Sequence, residues 1–363
     1  MANHRVLWIP LLACALAAQT PDSFQAVDLD SALAPANLIR QLAAKRVVFI
    51  GETHDRYDHH LNQLAVIRGL YQIDPGLAIG VEYLEQRFQS KIDDYVNGRI
   101  SEQEFLRGTD YFEEWGYDYR LYQPIFQFAR ENKIPVRALN VPTAVVSDVA
   151  KNGLAGLTPK ERDGLPSDIG PADDDYKARL RPIFEQHGSS KPQAFDHFVD
   201  AQLTWDESMS ANAAAYLNAN PNRRMVILAG SGHLVFGSGI PKRLERRTHA
   251  SYSIVLNAGS DENIGPHMAD YLLVSQKLEL PPAGILGLTT ENKDGECRVR
   301  SSQRDGLRRG DVVLEIDGQS VKRSSDVKLA LWNKKPGDRV SVTVRHHGRT
   351  RTLEFELKAA PPT

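Results

Sequence analysis

Short apolar runs alternate with amphipathic stretches through the first three-quarters of the chain. The runs Val47–Ile50, Leu77–Val81, Val136–Leu139, Met225–Ala229, Tyr252–Leu256 and Tyr271–Val274 predict buried strands. Between them, Leu61, Leu64, Ile67 and Tyr71 recur at helical spacing. Ser101-x-x-Glu104 and Thr158-Pro159-x-Glu161 are capping-box starts, the second with Pro at the first helical position. Residues 193–219 predict one long helix carrying Phe195, Phe198, Gln202, Trp205 and Met209. Residues 151–192 have weak periodicity and many Pro, Gly and Asp, and predict short helices and loops that serve as a lid or a partner surface. The alternation predicts an α/β domain over 30–278, a mostly parallel sheet with helices on both faces.

Two of the runs end alike. Val47–Ile50 leads into Gly51-Glu52-Thr53-His54, and Met225–Ala229 leads into Gly230-Ser231-Gly232-His233. Residues just past parallel strands sit at the carboxyl edge of the sheet, where open α/β folds bind ligands. Glu82 follows Val81 one strand–helix–strand unit after His54, and Asn140 follows Leu139. Taken singly, a strand-end His is more often a cap or a surface residue, and Glu82 an ordinary acid at a helix start. Taken together, Glu52, His54, Glu82, Asn140 and His233 predict one polar pocket, with Tyr83 adjoining it. His59 is a further lining candidate; His59 and His60 point about 100° apart on a helix, so at most one lines the pocket. Three uses stay open. Glu52, His54, Glu82 and His233 could hold a divalent metal. The same four could act as general acid and base. The His pair could also bind propionate or phosphate groups. No His-Glu-x-x-His, Gly-x-Ser-x-Gly or Walker loop is present.

Leu280-Pro281-Pro282 reads as a linker, and 283–358 as a small β-rich domain. Within it, Leu307-Arg308-Arg309-Gly310-Asp311 leads into the alternating run Val312–Ile316 and the tight turn Asp317-Gly318. A short helix over Ser325–Trp332, the turn Pro336-Gly337-Asp338 and a strand over Val340–Arg345 follow. This pattern resembles the bacterial PDZ domains appended to periplasmic proteases. The resemblance implies that Ile285-Leu286-Gly287-Leu288 is the carboxylate-binding loop and that peptide C-termini are the partners.

Charge and cysteines narrow the setting. The chain of 363 residues has a net charge of -2, with nothing that calls for a nucleic-acid partner. From Pro281 onward 16 Lys and Arg face 11 Asp and Glu, a modest basic excess without an aromatic stripe. Arg5 and the apolar stretch Val6–Leu16 predict an export signal over 1–17, too short to span a membrane. Leu11-Leu12-Ala13-Cys14 offers a second reading, a lipoprotein cleaved before Cys14. The expected location is the periplasm or, as a lipoprotein, the outer membrane. Cys14 and Cys297 are the only cysteines, so loss or lipidation of Cys14 leaves no intrachain disulfide.

A second resemblance is carried by Gly51-x-x-His54, Glu82, Asn140-Val141-Pro142, Ala201-Gln202 with Asp206 and Met209, Gly230-x-x-His233 and Gly239-Ile240-Pro241. Together they look like the ChaN-like branch of the Tiki/TraB/erythromycin-esterase superfamily, from about 38 to 275. The resemblance implies a haem-binding protein of bacterial iron uptake, able to form a homodimer around haem. It further implies a Tyr on the iron and basic side chains on the propionates. No motif places that Tyr; Tyr57 and Tyr83 adjoin the pocket, and Tyr111, Tyr117, Tyr119 and Tyr122 form an aromatic patch with Trp115. The wider superfamily includes metal-dependent hydrolases, so a peptidase or esterase is the alternative. An envelope scaffold led by the PDZ domain is a third. The balance leans toward binding rather than catalysis.

Overall fold

The computed structural model describes residues 33–186, 194–258 and 265–361. The export signal and Cys14 lie outside them. Six strands form one sheet: β1 (Val47–Glu52), β2 (Leu77–Glu85), β3 (Val136–Asn140), β4 (Arg224–Gly230), β5 (Tyr252–Ala258) and β6 (Tyr271–Val274), in the order β3-β2-β4-β1-β5-β6. The pairs β1–β4, β2–β4, β1–β5 and β5–β6 are parallel. Both faces of the central strands are buried, which is why they read as unbroken apolar runs rather than alternating ones. β2 runs on to Glu85, beyond the Val81 limit expected. Glu82 therefore lies within the strand, because the buried Tyr83 and Leu84 continue it.

Alternation sorts the side chains to two faces. Val47, Phe49, Ala78, Met225, Ile227, Ala229, Ile254 and Leu256 share a cluster with Met209, Ala213 and Leu217 of the long helix Ala194–Ala219 and with Leu244 of the helix Ile240–Thr248. Val48, Ile50, Val226 and Leu228 belong to the opposite face. The helix Tyr57–Ile73 buries Gln63, Leu64, Ile67 and Leu70. Both capping boxes form, at Ser101–Glu104 and Thr158–Glu161. Residues 151–186 form the expected short pieces, among them the helices Pro159–Arg162 and Asp174–Gln186. No helix among the described residues is long and apolar enough to cross a membrane.

By contacts the chain divides into two compact units, 1–82 with 139–277, and 83–138 with 278–363. The second unit contains β7 (Gly284–Ile285), β8 (Leu288–Lys293), β9 (Glu296–Ser302), β10 (Val312–Ile316), β11 (Gln319–Ser320), β12 (Arg339–His346), β13 (Arg349–Glu356) and β14 (Lys358–Ala359). Strands β13-β12-β10-β9-β8 form an antiparallel sheet with β8 at its edge. Its core holds Leu286, Val299, Val313, Ile316, Val342 and Val344 together with Cys297, whose thiol is fully buried and pushed up in pKa by that burial. The same unit contains an aromatic cluster in which Tyr83 packs on Tyr122 (4.1 Å between ring centres), Phe126 (5.9 Å) and Trp115 (6.0 Å).

Candidate functional site

Strand register brings the first unit's chemistry to one place. Glu52 pairs across β1–β4 with Gly230, and Val81 of β2 pairs with Leu228, so Glu82 lies level with Ala229. Glu52 continues the Val48–Ile50 face and Glu82 the Ala78–Gly80 face, so the two acids leave the sheet on opposite sides. Each meets its own histidine.

On the Glu52 side, His54 Nδ1 bonds Glu52 Oε1 at 2.9 Å. Gln63 Nε2 donates to Glu52 Oε2 at 2.7 Å, and His60 Nδ1 lies 3.3 Å from the same oxygen. His60 Nε2 bonds the His54 carbonyl at 3.1 Å and fixes the loop. Burial favours a neutral Glu52, but the charge of His60 and the hydrogen bonds from His54 and His60 outweigh it and lower its pKa below the ordinary carboxylate range. Burial also opposes charge on His54 and His60, yet their bonds and proximity to Glu52 raise both pKa values.

On the Glu82 side, Gly230 N–H donates to Glu82 Oε2 at 2.6 Å, and His233 Nε2 lies 3.3 Å from Glu82 Oε1. His233 Nδ1 bonds Asp206 Oδ1 at 2.6 Å, and Tyr176 donates its hydroxyl to Asp206 Oδ2 at 2.6 Å. Burial works against a charged His233, but two flanking carboxylates, Glu82 and Asp206, push its pKa up to about 10. The pKa of Glu82 is lowered, its burial offset by the charge and hydrogen bond of His233. Tyr176 is raised by burial and by Asp206.

The halves meet over Gly230. A Cβ there would stand 3.0 Å from His54 Cε1, 3.1 Å from its Nε2 and 3.6 Å from Glu82 Oε2. The absent side chain is what lets His54 approach Glu82. Trp205 presents its ring to His233 edge-on, 6.0 Å between centres. Arg179 Nη1 donates to the Gly232 carbonyl at 2.8 Å in the loop that carries His233.

The other predicted residues make bonds and contacts of their own. His59 is fully buried, with Nδ1 accepting from the Thr53 N–H at 3.1 Å, and burial lowers its pKa to about 4. It braces the His54 loop, while its neighbour His60 takes the place beside Glu52. Tyr83, one residue past Glu82, is turned by strand alternation into the aromatic cluster. Asn140 ends β3 and bonds its own Oδ1 to the Val141 N–H at 2.9 Å. The sequence sets no expectation for Gln63 or Tyr176 and offers His60 only beside His59. His60 and Gln63 are three apart on one helix face, a readable signal; Tyr176 lies in an aperiodic stretch and gives none.

Among the described residues no group of three or more His, Cys, Asp and Glu side chains is placed to hold a metal ion. In particular Glu52, His54, Glu82 and His233 split into two hydrogen-bonded pairs, each acid committed to its own partners. The donor set as arranged fits proton transfer or anion contact better than a metal cage. A haem asks for different surroundings, apolar surface next to cationic donors. Trp205 is such a surface, and His54, with its raised pKa, and Arg179 are the cationic groups beside it; His233 has both ring nitrogens on carboxylates. Tyr176 is committed to Asp206 and Tyr83 to ring packing, whereas Tyr57, half-buried, begins the helix just after the His54 loop.

In the second unit, Gly287 has φ +66°, a conformation Gly adopts without strain. Arg304 holds the carbonyls of Leu286 (2.7 Å) and Ile285 (3.2 Å). In a trans peptide the N–H points opposite to its carbonyl, so the amides of Leu286 and Gly287 face away from Arg304. Leu288 opens the edge strand β8, whose outer side is available for an added strand.

These features define an α/β protein with a parallel six-stranded sheet and an antiparallel β-rich module attached. Residues 38–244 match the family of haem-binding uptake proteins of the Tiki superfamily, ChaN, and residues 284–357 match the PDZ domain. The chain belongs to the ChaN-like haem-binding uptake family and carries a PDZ domain. A ChaN of Campylobacter jejuni, solved with cofacial haem, matches with a TM-score of 0.53 at 18% identity, covering 65% of this chain and 89% of that one. The likeness there is one of fold. RETICULATA-RELATED 5, a chloroplastic protein of Arabidopsis thaliana, is 22% identical over 60% of this chain and 31% of its own length. A probable periplasmic DegP-like serine endoprotease of Halomonas elongata is 44% identical over 50 residues, 14% of this chain and 10% of its own. The chain spans less than a third of the length of either curated relative.

Proposed function

We propose that this protein is an exported haem-binding protein of bacterial iron uptake, whose PDZ domain recruits it to C-terminal peptides of envelope proteins. The observation that carries the reading is the family match over 38–244 coinciding with a sheet edge that offers cationic donors beside an aromatic ring. His54 and Arg179 hold the acidic arms of the ligand, and Tyr57 is the phenol for the iron. Haem supplies a redox-active iron in a flat apolar ring; these residues bind and orient it. By analogy with the cofacial haem of the Campylobacter protein, two copies close around the ligand as a homodimer. The location is the periplasm, or the outer membrane if Cys14 carries a lipid.

Hemin titrated into the purified full chain is expected to give a saturable Soret change. A linear, non-saturating response removes the haem reading. Immobilised C-terminal peptides are expected to capture the wild-type chain and to lose at least tenfold in affinity with Gly287→Glu, which puts a side chain and a charge where the loop needs a left-handed Gly. Equal capture of both proteins counts against the peptide role.

One observation favours a second reading. The chain Tyr176–Asp206–His233–Glu82 is the arrangement of an oriented acid–base group. This reading makes the domain a hydrolase in which Glu82 and His233 exchange a proton. It predicts turnover on an ester or peptide panel that disappears in His54→Ala and His233→Ala.

A further inference from the structure

Positive charge gathers where β10 begins. Val312, its first residue, lies between Arg298 of β9 and Arg345 of β12, and Gly310 N–H bonds the Val299 carbonyl at 2.8 Å. The end of β9, the turn Arg308–Gly310 and the β12–β13 hairpin therefore meet at one end of the antiparallel sheet. Two of the acids there are committed within the fold. Glu296 holds Arg298 at 2.6 Å and also pairs with Arg345. Asp311, fully buried, pairs with His346, lies 3.3 Å from Arg351 and accepts the Arg308 N–H at 3.0 Å. Arg300, Arg308, Arg309 and Arg349 are exposed, and no ion pair among the described residues takes up their guanidinium groups. Asp305 is the exposed carboxylate in these segments. Like charges on adjoining turns repel one another, so the fold itself gains nothing from this arrangement.

We propose that this end of the PDZ domain docks on an anionic lipid surface, with Arg300, Arg308, Arg309 and Arg349 on the headgroup phosphates. Guanidinium matches phosphate bidentately, and exposed turns carry it to a flat array of phosphates without burying any uncompensated group. A nucleic acid fits less well, because no Phe, Tyr or Trp lies between 298 and 311 or between 345 and 351 to stack on bases. The same loop reaches the candidate peptide site. Gln303 N–H bonds the Gly287 carbonyl at 2.9 Å, and Arg304 bonds the Leu286 carbonyl at 2.7 Å. A docked domain would therefore meet chain termini where they emerge at a membrane. That last step rests on the peptide reading; the docking does not, and its failure leaves the earlier readings standing.

The test is co-sedimentation of the full chain with vesicles of phosphatidylcholine alone and of equal parts phosphatidylcholine and phosphatidylglycerol. Neutral vesicles set the background from the apolar stretch Val6–Leu16. Each cation near an anionic bilayer strengthens partitioning by about fivefold, so the triple variant Arg308→Gln, Arg309→Gln, Arg349→Gln is expected to bind the mixed vesicles roughly tenfold or more less tightly. The control triple, Lys293→Gln, Lys322→Gln, Lys335→Gln, removes equal charge from exposed positions elsewhere on the domain. It is expected to stay within about threefold of wild type, since charges beyond a Debye length are screened. Equal weakening of the two triples overturns the inference, and so does wild type binding both kinds of vesicle alike. Release of wild type from vesicles by millimolar inorganic phosphate overturns it in favour of a single-phosphate site. Tighter binding to duplex DNA than to the mixed vesicles overturns it in favour of a nucleic-acid surface. Urea midpoints of both triples are expected to match wild type; where the first is destabilised, Arg309→Gln and Arg349→Gln singly decide by the same comparison.

Discussion

His233→Ala is expected to cost about 3–5 kcal/mol of stability, the scale for removing one partner of a buried charge pair. The imidazole lies between two acids, Glu82 at 6% and Asp206 at 1% exposure, and its loss leaves both carboxylates facing each other without the cation. Urea unfolding measures the loss, and a change under 1 kcal/mol would show that the chain is not the buttress inferred. The pH profile carries a sign. His233 has a raised folded pKa, about 10 against 6.5. Its contribution is thus fully present below about pH 6.5 and is lost as pH rises through 10. Glu52 and Glu82 have lowered values. Their contribution is present above the ordinary carboxylate range, about 4.3, and is lost as pH falls through their folded values. Wild type should therefore be most stable near pH 6.5, because His59, whose folded pKa falls to about 4, loses its contribution as pH drops below that point. His233→Ala should reduce the alkaline loss, leaving the part that His54 and His60 contribute, and move the acid loss upward, since Glu82 no longer has its imidazolium.

Gly239→Ala should disrupt the same site from behind. A Cβ at Gly239 would lie 2.8 Å from the His233 carbonyl carbon and 3.0 Å from Asp206 Oδ2, with the His233 carbonyl oxygen closer still. Backbone cannot retreat as a flexible side chain can, so the loop must shift, at a cost of about 1–3 kcal/mol. The informative reading is local. The His233 ring, followed by NMR, should titrate nearer its ordinary 6.5 than the wild-type value of about 10, because its bond to Asp206 is stretched. Gly232→Ala is the control in the same loop, with no atom within 4 Å of the added carbon. Equal behaviour of the two variants would contradict the packing argument.

The strands were legible because burial on both faces writes itself as short apolar runs, and the glycines that follow two of them, Gly51 and Gly230, mark the sheet edge. Glu52, His54 and His233 follow those glycines, and Glu82 follows the run Leu77–Val81. What the sequence hid was the side of the sheet each residue takes. Glu82 lies inside β2, so the pleat decides that it faces His233 while Tyr83 turns away. His59 and His60 differ by one helical step, and only the position of Glu52 selects His60. Tyr176 comes from a stretch with no periodicity, where a single hydrogen bond to Asp206 defines its place. Arg304 was hidden for a similar reason, since its bonds to carbonyls at 285 and 286 cross from a distant turn.

The buried thiol of Cys297 has a consequence of its own. It is fully buried, next to the Thr290 and Ser324 hydroxyls, and its burial pushes the pKa up, so a thiol-reactive reagent finds it only when that core opens. Leaving Cys14 aside, the chain thus carries a built-in stopwatch for the breathing of its peptide-binding module, readable without adding a label to any other residue.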